Sequence, residues 1–183
     1  LPVLSPSLPE GLEEGRGQDP LPNPLPRGEG ISGPLPSLLA RGEGIDEARA
    51  TLKRVFGYDE FRPLQEEIIA NVLAKRDSLA VMPTGSGKSL CYQLPALLFP
   101  GLTVVVSPLI SLMEDQVMQL RQSGVAASFL NSTLGYDGHI AIMQQIRAGQ
   151  IKLLYTSPET LLRPETLLML DDCRVDCLTI DEA

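Results

Sequence analysis

The octapeptide Met82-Pro83-Thr84-Gly85-Ser86-Gly87-Lys88-Ser89 constrains this chain more than any other stretch. It follows an apolar run, Ser78 to Met82, and opens a helix-like run, Gly87 to Leu98. A glycine-rich turn between strand and helix that ends in Gly-Lys-Ser is a phosphate-binding loop. Thr84, Gly85, Ser86 and Gly87 would offer backbone N–H groups to phosphate oxygens, and the following helix adds the positive end of its dipole. Lys88 would reach the β- and γ-phosphates, and the Ser89 hydroxyl would ligate Mg²⁺. The general pattern has Gly where this chain has Met82, yet strand, glycines, lysine, hydroxyl and helix come in the required order.

A second motif closes the chain. Cys177 to Ile180 reads as a buried strand, and Asp181-Glu182-Ala183 follows. An Asp at a strand tip can hold Mg²⁺, and the adjacent Glu can take a proton from an attacking water. Lys88, Asp181 and Glu182 are thus the candidate catalytic residues, with Ser89 and Asp181 as metal ligands. Hydrolysis of a nucleoside triphosphate needs a phosphate cradle, a metal site and a base in one cleft.

The apolar runs between these motifs supply a fold. Strands are expected at Ser78 to Met82, Leu102 to Val106, Ala127 to Leu130, Ile151 to Tyr155 and Cys177 to Ile180. Helices are expected at Ile45 to Phe56, Pro63 to Lys75, Gly87 to Leu98, Leu109 to Gln122, Gly138 to Arg147 and Pro158 to Leu170. Short apolar strands alternating with helices imply a parallel α/β sheet, whose ligands sit at the carboxyl ends of the strands. Both motifs fall there.

Residues 1–45 are of different composition. They hold nine of the sixteen prolines and half the glycines, and Arg27-Gly28-Glu29-Gly30-Ile31 recurs as Arg41-Gly42-Glu43-Gly44-Ile45. Such a segment cannot bury a core and is expected to be a disordered tail before a domain spanning 46–183. A proline-rich docking role is the less economical reading, because aromatic and basic residues are sparse there. The net charge of −8 gives no electrostatic footprint for nucleic acid, but part of it lies in the tail, and backbone amides and helix N-termini can grip a strand without lysines. Cys91, Cys173 and Cys177 have neither disulfide nor zinc spacing, and His139 is the only histidine. They read as packing residues in a reducing cytoplasm. The apolar region from Leu90 to Met113 is broken by Pro95, Pro100 and Pro108, so no membrane span is expected. The first residue is Leu1 and the last follows Asp-Glu, which reads as a piece of a longer protein.

Taken in order, five segments resemble the RecQ-family DNA helicases, ATP-driven 3′-to-5′ unwinding enzymes of superfamily 2. They are Phe56-Gly57-Tyr58-Asp59-Glu60-Phe61-Arg62-Pro63-Leu64-Gln65, then Met82 to Ser89, Ser107-Pro108-Leu109-Ile110-Ser111-Leu112-Met113, Tyr155-Thr156-Ser157-Pro158-Glu159 and Asp181-Glu182-Ala183. The resemblance covers about residues 48–183 and makes Met82 ordinary. It implies an incomplete first motor domain with a RecA-like parallel sheet and flanking helices. It further implies ATP and Mg²⁺ as cofactors, DNA at a single-strand/duplex junction as partner, work in recombination and repair, and a bacterial cytoplasm or nucleoid setting. By resemblance, Tyr58 stacks on the adenine, Gln65 bonds its edge and Arg62 lies close to the nucleotide. Ser107, Pro108, Leu109, Ser157 and Pro158 would meet the phosphates of one DNA strand, with Asn131-Ser132-Thr133 as a weaker candidate, although Ser-Pro is also plain helix-capping chemistry. Glu114 stands where many family members have Lys, which weakens any positive DNA contact from that helix.

Two consequences of the resemblance concern the isolated chain. Activity would need a second motor domain, whose arginine finger can supply roughly 10³ to 10⁵ in rate, so residues 1–183 alone should show negligible ATPase. In this fold the strand after Asp-Glu-Ala-His lies between the phosphate-loop strand and the Asp-Glu strand. Without it the two motifs would flank an open slot, leaving the fragment poorly folded or prone to aggregate. An RNA helicase or DNA translocase of the same superfamily, or a non-catalytic binding piece, are the alternative readings.

Overall fold

Four strands, β1 (Leu102–Val106), β2 (Ala127–Leu130), β3 (Leu153–Thr156) and β4 (Val175–Ile180), form a parallel sheet in the order β2-β3-β1-β4. The computed structural model describes residues 40–131 and 134–182. The expected tail therefore lies almost wholly outside the described residues, as do Ser132, Thr133 and Ala183. The central strands are β-branched and leucine-rich and are buried over their whole length, the condition that favours parallel pairing with helices on both faces.

Alternation along the strands sorts the core into two layers. Val105 and Tyr155 face α3 (Leu90–Leu98) and α4 (Ile110–Gln122), packing with Tyr92, Ala96, Met113 and Val117. Val104 and Leu154 face the other way, against Ile146 of α5 (Tyr136–Arg147) and Met169 of α7 (Pro164–Asp171). Each such fully buried aliphatic side chain is worth about 1.5–3 kcal/mol relative to exposure. A third cluster joins α1 (Ala40–Thr51), α2 (Gln65–Leu73) and α3 through Ala48, Leu52, Ile69 and Leu94.

Several expected boundaries move. The first helix begins at Ala40 rather than Ile45 and passes into a π-helical turn, Leu52–Phe56, that Gly57 ends at φ 75°. The helix expected from Pro63 starts at Gln65, because Leu64 takes a left-handed φ of 70°. The Gly87 helix starts at Leu90, after a tight turn in which Leu90 N–H donates to Gly87 O. The single helix expected over Pro158 to Leu170 is two, α6 (Pro158–Leu161) and α7 (Pro164–Asp171). Pro164 has no N–H to continue the first helix and holds Arg163 extended at ψ 138°.

One expected strand is absent. Ser78 to Met82 pairs with nothing; Leu79 and Val81 are 94% and 88% exposed, and only Met82 is buried. β4 pairs with β1 alone, and its Leu178 and Ile180 are more than half exposed. An apolar run becomes a strand only when another strand supplies its hydrogen bonds, and none of the described residues does so here.

Loop and sheet are fastened at one point. Gly101 N–H donates to Asp176 Oδ2 at 2.6 Å, and Asp176 Oδ1 lies 3.2 Å from Arg174 Nε and 3.4 Å from Lys75 Nζ. Burial alone would raise this carboxyl, but the Gly101 amide and the two cations hold it below the ordinary 3.8. A depressed carboxylate stabilises the fold above its unfolded value and loses that contribution as pH falls through the folded one. Acid titration of the unfolding free energy should therefore show wild type above Asp176→Asn at neutral pH, the two converging below about pH 3.8. Parallel curves down to the lowest pH would contradict this.

Candidate active site

The phosphate loop keeps a tight turn without a strand behind it. Ser86 N–H and Ser86 Oγ both donate to Pro83 O, at 3.2 and 2.6 Å. Gly85 and Gly87 sit at φ 79° and 83°, a region open to glycine at little cost. Arg62 in the turn before α2 and Gln65 at the start of α2 brace the outside of the loop. Arg62 Nη1 donates to Gly85 O at 2.6 Å, and Gln65 Nε2 donates to Gly87 O at 3.0 Å and to Ser86 O at 3.3 Å. The packing is close enough that a Cβ on Gly87 would stand 2.6 Å from Gln65 Nε2. Among the described residues, the N–H groups of Gly85, Gly87, Lys88 and Ser89 donate to no backbone carbonyl, which leaves them open to an anion.

The Gln65 amide is fully engaged. Its Oε1 accepts from Arg62 N–H at 2.8 Å and its Nε2 serves the loop, while only 2% of the residue is exposed. It braces the phosphate loop in this structure. Tyr58 is half exposed at the mouth of a cavity of about 350 Å³ that Arg62, Gln65, Gly87, Ser89 and Gln93 also line.

The two ends of the motif set meet. Lys88 Nζ lies 3.3 Å from Glu182 Oε1, across 94 residues of sequence. Asp181 follows β4, its N–H donating to Val106 O at 2.8 Å, and its carboxylate is buried. Asp181 Oδ2 lies 2.8 Å from the Tyr92 hydroxyl, which also stands 2.9 Å from Gln116 Oε1. Gln93 Nε2 donates to the Tyr155 hydroxyl at 2.9 Å, and the Tyr92 and Tyr155 rings meet edge to face at 6.5 Å. Burial, reinforced by Tyr155 and by the Asp181 carboxylate, pushes the Tyr92 hydroxyl far above the usual tyrosine range; burial pushes Tyr155 up to about 12. Both are therefore fixed as O–H groups.

Sequence reasoning missed this polar cluster of Tyr92, Gln93, Gln116 and Tyr155. The available signal was Tyr92-Gln93 within an otherwise apolar helix, since buried polar groups need partners.

The two Ser-Pro segments lie side by side at the sheet rim, with Ser107 N–H donating to Thr156 O at 3.0 Å. Ser107 and Ser157 are buried. The Ser107 hydroxyl accepts from Leu109 N–H at 3.4 Å, and the Ser157 hydroxyl caps α6 by accepting from Thr160 N–H at 3.3 Å. Pro108 and Leu109 form the exposed part of this rim.

A braced glycine loop, a lysine and an Asp-Glu pair at the carboxyl edge of a parallel sheet define a phosphate-loop protein of RecA-like α/β fold. Residues 62–183 match the DEAD/DEAH box helicase family, and the chain belongs to that family. It is 49% identical over 136 residues to the ATP-dependent DNA helicase RecQ of Haemophilus influenzae, covering 74% of this chain and 22% of the relative. With the ATP-dependent DNA helicase RecQ of Synechocystis it shares 49% over 134 residues, 72% of this chain and 28% of the relative. With the RecQ-like DNA helicase blm-1 of Caenorhabditis elegans it shares 48% over 111 residues, 60% of this chain and 11% of the relative. The chain thus spans only 22% and 28% of the two bacterial relatives. Among the described residues no helix is long and apolar enough to cross a membrane.

Proposed function

We propose that this chain is the ATP-binding part of a RecQ-type ATP-dependent DNA helicase that unwinds DNA 3′-to-5′ in recombination and repair, working at single-strand/duplex junctions in the cytoplasm. The observation that carries the reading is the approach of Lys88 to Glu182 at 3.3 Å, which sets the phosphate loop against the Asp-Glu pair. ATP would lie with its adenine towards Tyr58 and its phosphates on the N–H groups of Thr84 to Ser89. Lys88 would exchange its present partner for phosphate oxygens, which frees Glu182 to accept a proton from the attacking water.

The donor set fits Mg²⁺. Ser89 and Asp181 offer hard oxygens, and no group of three or more His, Cys, Asp or Glu among the described residues could hold a metal alone, so phosphate oxygens would complete the shell. Bound there, the ion would neutralise charge that builds on the phosphate during transfer. The exposed Pro108-Leu109 rim and the nearby segment after β3 are proposed to meet one DNA strand, through the first-turn N–H groups of the helices that follow them rather than the occupied serine hydroxyls. A second motor domain would contribute the arginine finger and convert hydrolysis into movement along that strand.

Titration calorimetry of the chain with Mg-ATP tests this reading. We expect saturable binding that weakens on removal of Mg²⁺, with negligible turnover by residues 1–183 alone. Absence of binding would sink the nucleotide assignment. Robust DNA-stimulated hydrolysis by this chain would remove the need for a second domain.

A further inference from the structure

Tyr92 has one hydroxyl proton and two acceptors. Asp181 Oδ2 lies at 2.8 Å and Gln116 Oε1 at 2.9 Å, so the proton serves one of them at a time. The other donor to Gln116 Oε1 is Gln93 Nε2 at 3.4 Å, and that amide makes its shorter bond to Tyr155. Among the described residues, Tyr92 is therefore the nearer donor to Gln116 Oε1. Tyr92, Gln93, Tyr155 and Asp181 are all at most 9% exposed, and Gln116 is partly buried at the wall of the cavity that Tyr58 also lines. In such surroundings the choice of acceptor is strongly felt.

The three groups sit on different elements. Tyr92 belongs to α3, just beyond the phosphate loop; Asp181 ends β4; Gln116 lies in the middle of α4. α4 begins at Ile110, directly after the exposed Pro108-Leu109 rim. Gln116 is less than two turns from that start, about 9 Å along the axis.

We infer that Tyr92 is a positioning residue that aims the Asp181 carboxylate and, through Gln116, links the state of that carboxylate to α4 and its Ser107-Pro108-Leu109 end. The inference rests on the reading of Asp181 as a metal ligand. With a bare carboxylate, Asp181 is the stronger acceptor and holds the Tyr92 proton. When Asp181 shares its charge with a cation, it becomes the weaker acceptor, and the proton turns to Gln116. The bond to Gln116 then ties α4 to α3, and the first turn of α4 becomes less free to open. The rim proposed to meet DNA would in this way sense occupancy of the nucleotide site without touching it.

Hydrogen–deuterium exchange on the chain tests the link, with Mg²⁺ and a non-hydrolysable ATP analogue at saturation so that affinity differences do not enter. In wild type, exchange of the Leu109 to Gln116 amides should slow severalfold on loading. Tyr92→Phe removes only the hydroxyl, and Gln116→Leu removes the acceptor on α4 without touching Asp181. Both should lose most of that slowing. Tyr92→Phe should in addition need roughly tenfold more Mg²⁺ to reach half-maximal analogue binding, the usual scale for an outer partner of a metal ligand. Gln116→Leu keeps the test alive should Tyr92→Phe fail to fold. Slowing retained in either folded variant, or no slowing in a wild type that binds the analogue, would overturn the inference. A wild type that binds no Mg-analogue would sink the nucleotide reading itself, and the inference with it.

Discussion

Lys88→Ala is expected to weaken Mg-ATP binding by roughly ten- to a hundredfold, equivalent to about 1.5–3 kcal/mol for a hydrogen bond to a charged group. Lys88 is the cation of the phosphate loop, and its ammonium pairs with Glu182 at 3.3 Å. That pair is part exposed on both sides, so its loss should hardly alter stability. Calorimetry should then separate the two effects, with a large fall in affinity and an unfolding midpoint close to wild type. A dissociation constant within twofold of wild type would show that Lys88 is a surface charge with no phosphate to meet.

Gly101→Ala is expected to destabilise the fold by about 3 kcal/mol, since overpacking a tight contact costs about 1–3 kcal/mol and more where backbone must move. A Cβ at Gly101 would collide with the Arg174 carbonyl oxygen and stand 2.8 Å from Asp176 Oδ2. Relief would open the entry to β1 away from β4 and break the Gly101 N–H bond to Asp176. Urea unfolding measures the loss. Gly135→Ala is the comparison, because nothing lies within 4 Å of a Cβ there. Equal, small effects at both positions would refute the account.

The central sheet was legible because β1 and β3 are both short apolar runs, buried along their whole length, and each supplies the other's pairing. Chemistry-bearing ends were legible for a related reason. The glycine loop and the Asp-Glu pair are expected to share one cleft, and Lys88 lies 3.3 Å from Glu182 even though no strand stands behind the loop. Ser78 to Met82 failed as a strand because pairing is a property of two segments, and no described residue supplies the second. The α6–α7 break needed weight to be given to Pro164 within a periodic run. Gln65 shows a subtler gap. Its amide chemistry suits an adenine edge, but donor and acceptor capacity does not say which partner is nearest, and here the nearest are loop carbonyls. The Tyr92 cluster was illegible for the same reason, because its partners come from β4 and α4.

The bracing of the phosphate loop by Arg62 and Gln65 has a thermodynamic meaning for ligand capture. A glycine-rich turn free in water samples many conformations, and a ligand that fixes it must overcome that loss of backbone entropy. Here three successive carbonyls, Gly85, Ser86 and Gly87, are already held by side chains that lie outside the loop. Much of the ordering is done during folding, before any phosphate arrives. The turn before α2 and the first residue of that helix therefore act on affinity at a distance from the phosphates, by narrowing the ensemble from which the cradle is drawn.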